Sequence, residues 1–144
     1  MPSRSVQVAT AIVTLINGAT LPQPVTAVRS WLPESALEGL APVRCDVFPR
    51  SQVQGALSRG EASFEIETAV AIQKQAIGTA AVDPLVELLE AIGVLLDRTP
   101  LPGMSTARYR GQRFEPIASV LDLKDKNLYV GLLIVTHVVY EEIS

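Results

Sequence analysis

Histidine and cysteine each occur once, as His137 and Cys45. A lone cysteine closes no internal disulfide and fits a reducing compartment. Its expected role is a small buried apolar side chain, since no histidine or nucleophile motif accompanies it. His137 stands inside an apolar stretch, where packing explains it better than general-base catalysis. No GxGxxG, P-loop, HExxH or CxxC pattern occurs. These absences argue against an enzyme, and no catalytic residue, cofactor or metal ligand is assigned. Charged residues are only 19% of the chain and the net charge is −3, which gives no general case for nucleic-acid binding. No membrane-spanning or secretory segment is apparent either. The run from Val6 to Ile16 is interrupted by Gln7, Thr10 and Thr14, is too short to span a bilayer, and lacks a cleavage site. It reads as a core helix of a soluble cytoplasmic protein with no membrane partner.

What the chain has is apolar content: 48% of 144 residues, enough for one domain over residues 1–144 with a real core. It concentrates in the stretch Asn127 to Tyr140, NLYVGLLIVTHVVY, rich in β-branched and aromatic residues and free of proline. As a strand, it points Leu128, Val130, Leu132, Ile134, Thr136 and Val138 one way. Tyr129, Gly131, Leu133, Val135, His137 and Val139 point the other. Both sets are apolar, so both faces are expected to leave water. At roughly 3.3 Å per residue the run spans about 40 Å, against a domain diameter of about 37 Å. The strand must therefore cross or project from the domain, or bend at Gly131. A projecting strand needs a partner, which makes Tyr129, Leu133, Val135, His137 and Val139 a candidate subunit interface.

In chain order, Ser5 is the expected N-cap of a helix to about Ile16, with Ala9, Ile12, Val13 and Ile16 on its core stripe and Asn17-Gly18 as a left-handed stop. Leu21-Pro22-Gln23-Pro24 is a stiff linker. Strands are predicted over Val25–Leu32 and Val43–Phe48, around a helical turn at Glu34–Leu40. Arg50–Gly60 reads as a mobile loop. Ser63–Gln75 is a second long strand, with Phe64, Ile66, Thr68, Val70 and Ile72 on its apolar face. Asp83-Pro84 opens a helix whose stripe is Leu85, Leu88, Leu89, Ile92, Leu95 and Leu96. Arg98–Arg113 is a basic loop, and Arg113–Leu121 forms a hairpin with the last strand through a Lys124–Asn127 turn. The sum is an α+β fold, a mostly antiparallel sheet of about five strands packed on two helices.

Glu61, Glu65 and Glu67 are the nearest carboxylate cluster. Glu65 and Glu67 share a strand face, suited either to a charged subunit contact or to a hard cation. Arg98, Arg108, Arg110 and Arg113 occur with no acid between them. Tyr109 between two of them suits stacking on a base, so this loop is either solvated or faces phosphate or an acidic protein.

The order Ala27-Val28-Arg29-Ser30-Trp31-Leu32-Pro33, Leu37-Glu38-Gly39-Leu40, Val43 to Ser51, Ser58-Arg59-Gly60, Phe64-Glu65-Ile66, Val70 to Lys74, the Asp83 helix and the terminal strand resembles the tail terminator family of long-tailed bacteriophages, small neck and tail-completion proteins. The likeness is one of element order and spacing over most of the chain. It implies a homo-oligomer, a hexameric ring on the last ring of the tail tube protein at the tail–neck junction of the virion. Such a ring stops tube growth and meets a head-completion or connector protein, with DNA passing through and no reaction catalysed. Head-to-tail contacts close such rings. The Arg98–Arg113 segment would line the channel or meet the tube. A head-closure or connector ring remains the nearest alternative. A small carboxylate-based ligand- or metal-binding domain using Glu65 and Glu67 is the alternative of another class.

Overall fold

A computed structural model describes residues 3–31 and 43–142. The Glu34–Leu40 turn expected from the sequence lies outside these residues. Helix α1 (Arg4–Asn17) precedes strand β1 (Thr26–Arg29), and β2 (Arg44–Ser58) and β3 (Glu61–Gln75) form a hairpin. Helix α2 (Thr79–Leu96), strand β4 (Ala107–Phe114), helix α3 (Val120–Lys126) and strand β5 (Leu128–Glu142) follow. The strands form one sheet in the order β1-β2-β3-β5-β4. Only β1 and β2 are parallel; the other pairs are antiparallel. The expected α+β class and mostly antiparallel five-stranded sheet are both found, with a third helix added.

The sheet is organised on β3 and β5, which pair without interruption from Glu61–Glu142 to Gln75–Leu128. Their register sets Ile66 against His137 and Val70 against Leu133. The even-numbered side chains of β3 therefore share a face with the odd-numbered ones of β5. On that face α1 packs over β1, β2 and β3, α2 packs over β5, and the helices touch each other. Val8, Ile12 and Ile16 of α1 meet Leu85, Leu88, Leu89 and Ile92 of α2 in a core with Ile66, Val70, Ile72, Leu133 and Val135.

Glycine at 131 does not bend β5; it pairs in register with Ile72. Its missing side chain makes room for Tyr129. The Tyr129 hydroxyl crosses the position a Cβ would take and donates to the Ile117 carbonyl at 2.7 Å. The middle of the reverse face of β5 is closed by charge. Arg113 of β4 lies opposite Ile134 and reaches across β5 to Glu67 of β3 at 2.9 Å. The stem of such a side chain covers apolar surface while its head stays polar, and Ile134 is wholly buried. The helix face of β5 leaves water within the single chain; on the reverse face Leu128, Ile134 and Val138 are buried, while Val130, Leu132 and Thr136 stay half-exposed. The premise that copies must cover this strand is corrected for the helix face.

Several boundaries also differ from the sequence expectation. Ser3 caps α1, accepting from the Val6 N–H, and Ser5 lies inside the helix. Gly18 ends α1 in a right-handed conformation, and Asn17 instead clamps Ala27, accepting from its N–H at 2.8 Å and donating to its carbonyl at 3.1 Å. The mobile loop expected at Arg50–Gly60 is strand: β2 runs through Pro49 and turns only at Arg59-Gly60. Pro49 is tolerated because β1 has ended beside it, so no partner needs its N–H. Helix α2 starts at Thr79, with Asp83 and Pro84 inside it. The segment after Phe114 is not a strand to Leu121. It follows β5 only through bonds such as Ser119 N–H to Val130 O, then forms α3.

Replacing Gly131 with alanine drives a methyl into the Tyr129 hydroxyl and the Ile117 carbonyl. Overpacking of this kind costs on the order of 2–3 kcal/mol, to be read as a lower denaturation midpoint at unchanged slope.

Candidate functional site

The residues expected at a subunit interface divide between the two faces of the sheet. Tyr129, Leu133, Val135, His137 and Val139 all point under the helices and are at most 2% exposed. They are core residues of the single chain and offer no surface to a neighbour. Glu65 and Glu67 lie on the opposite face, half-buried, opposite Val53 and Ser51 of β2. Glu67 accepts from Arg113 and from the Ser51 hydroxyl, and the Arg113 bond is the main cause holding its carboxyl below the usual range. A carboxylate so engaged is a poor cation ligand. Among the described residues no group of three His, Cys, Asp or Glu converges as a metal site.

The basic segment separates into individuals. Arg98 follows α2 in a left-handed conformation (φ 57°) and is largely exposed. Arg108 donates to the carbonyls of Ser105 and Ala107. Arg110 lies on the exposed outer edge of β4, within a register shift between Tyr109 and Gly111. Arg113 is held between Glu67 and Glu115, at 2.9 and 2.6 Å. Instead of a loop, three of the four sit on an edge strand. Tyr109 is turned to the helix face, where its ring meets His137 edge-on at 5.9 Å and its hydroxyl accepts from Gln112. It does not offer its face to a base.

The remaining polar chemistry is internal. Burial, and then the neighbouring Asp46 carboxylate, pushes the Cys45 thiol up to about 12, so it is no nucleophile at neutral pH. Asp46 is fully buried and paired with Arg44 at 2.9 Å. A surface depression lined by Ser3, Arg4, Gln52, Thr106, Tyr140, Glu141 and Glu142 holds an Arg4–Glu141 ion pair at 2.6 Å and no nucleophile beside a base. Sequence reasoning did not bring together Thr68, Gln112 and His137, whose polar atoms are buried in the structure. Both His137 ring nitrogens, Thr68 Oγ1 and Gln112 Oε1 lack protein partners.

His137 carries a clear pH consequence. Burial lowers its pKa from 6.5 to about 4, so between these values the unfolded chain binds the proton and the native chain does not. Stability from this group is complete above 6.5 and lost as pH falls toward 4, by roughly 3 kcal/mol at about 1.4 kcal/mol per pH unit. Urea midpoints measured across this window should show that slope for the native protein and a flatter one for His137→Leu. Divalent cations at millimolar concentration should leave the melting temperature unchanged, because Glu67 already has its partners.

No family model matches the chain, and no curated protein matches it. Among solved structures, a chain in "Virion of native gene transfer agent (GTA) particle" is similar, with a TM-score of 0.51 and 16% identity. The match covers 96% of this chain and 90% of that one. At that identity the likeness is one of fold, extending over nearly the whole of both chains.

Proposed function

We propose that the chain is a structural virion protein that assembles as a hexameric ring at the head-proximal end of a phage-type tail, ends polymerisation of the tube and presents the surface that joins the head. The observation that supports this reading is the shared fold, over 96% of the chain, with a component of a gene transfer agent virion. The order of sequence segments resembling tail terminators points the same way. The lack of any nucleophile–base pair among the described residues is compatible with a role in which contacts, not reactions, do the work.

In this reading the tail tube protein meets one side of the ring and a head-completion or connector protein the other. Arg98 and Arg110, both exposed, are the cations suited to DNA passing through the opening, because neither is held by two carboxylates as Arg113 is. Contacts to a phosphate backbone would be unspecific and salt-sensitive.

The test is removal of the gene from a producing strain, with particles imaged by electron microscopy. Filled heads without joined tails, together with tails of uncontrolled length, are expected. Six copies should appear at the tail end next to the neck in the native particle. Normal tails left unjoined, with the protein found on the head side, would replace this reading by a head-closure ring. Normal joined particles would overturn both.

A further inference from the structure

We infer that the ring is closed by strand addition, the free edge of β2 receiving β4 of the next copy, so that sheets run from subunit to subunit. This rests on the ring reading above and names its interface. The argument starts from what the sheet leaves open. β1 ends the sheet on one side but pairs only with Arg44 to Val47. One further bond, from the Ser30 N–H to the Val47 carbonyl, closes that short ladder. From Phe48 onward the outer edge of β2 has no backbone partner among the described residues. Val47 turns its carbonyl outward, and alternation carried through the shift between Pro49 and Ser51 turns the N–H groups of Gln52 and Gln54 outward too.

Such an edge is normally blunted by charge, proline or a covering segment, because it templates pairing with another chain. Pro49 and Arg50 guard only its start. Ser51, Gln52, Val53, Gln54, Gly55 and Ala56 are all exposed and include no charge and no proline. Val53 is 63% exposed on a strand, where an apolar side chain is ordinarily covered.

The occupant is a second copy because the same molecule carries a matching edge. β4 closes the other side of the sheet, and its outer side is unpaired among the described residues. β4 runs antiparallel to β5, β5 to β3, and β3 to β2. A copy rotated about an axis along the strands therefore brings β4 against the next β2 in the antiparallel sense. A contact between two different edges is head-to-tail and can close a ring. Charge agrees. Arg108 arrives on β4, and behind the β2 edge stands Glu65, opposite Val53 and without an ion pair among the described residues. Two β2 edges meeting each other would make a closed two-fold pair instead of a ring.

The experiment uses the full chain with cysteines placed on the two edges, the native Cys45 being buried and unreactive. Gln54→Cys with Arg110→Cys in one chain should give, on mild oxidation, a ladder of linked copies that stops at the ring size. Each single variant should stay unlinked. Gln54→Pro removes an outward N–H and should abolish rings by mass measurement while leaving the melting temperature of the single copy unchanged. A ladder absent while native rings persist would overturn the edge pairing and leave the ring reading standing. Gln54→Cys linking to itself would overturn it in favour of a two-fold pair. A wild-type chain that stays single both in solution and on purified tails would overturn the ring and the pairing together.

Discussion

The ladder between β3 and β5 is the constraint on which the rest depends. Fifteen consecutive pairs hold these two central strands in one register. That register decides which side chains face α1 and α2 and which face away. If β3 slipped by one residue against β5, Ile66 and Val70 would turn to the other face and Glu65 and Glu67 would come under the helices. Hydrophobic pattern enforces the register over the first half of β3, which alternates between buried and half-exposed side chains from Ala62 to Thr68.

How far the sequence could be read follows from this. Strands with period-two patterns, β3 and β5, were legible, as was the leucine stripe of α2, because side chains there answer to a nearby core. β2 beyond Pro49 was not legible. Its residues Ser51 to Ala56 are exposed, so no burial imposes a pattern, and they are strand only because β3 supplies hydrogen bonds. Asp83-Pro84 misled for a related reason. It has the local chemistry of a helix start, but Gly78 with a positive φ of 83° already turns the chain five residues earlier. Five residues of the candidate interface, Tyr129, Leu133, Val135, His137 and Val139, are core for a reason of scale. The apolar faces of β5 read as more surface than one copy could hide, yet the helices cover one face and the Arg113–Glu67 bridge covers the middle of the other. What sequence could not supply was the long-range reach of Arg113, a charge that belongs to an edge strand and works across its neighbour.

The polar groups split between two environments with opposite consequences. Arg113, Glu67, Glu115 and Ser51 are arranged where water still reaches, and each bond there is worth little. His137, Thr68 and Gln112 are enclosed, and unmet hydrogen-bonding capacity there is expensive. The chain's sensitivity to acid is thus stored in the interior and not on the faces proposed to meet other subunits.

The helix α2 sits so close to β4 that Gly93 leaves no space for a methyl group. A Cβ would stand 2.6 Å from Gln112 Oε1 and 3.1 Å from Phe114 Cζ, while Gln112 donates to the Gly93 carbonyl at 2.8 Å. The three positions behave as one unit of inheritance. A side chain gained at 93 must push the Gln112 amide aside and give up its bond to the Gly93 carbonyl, so substitutions at 93, 112 and 114 should be coupled.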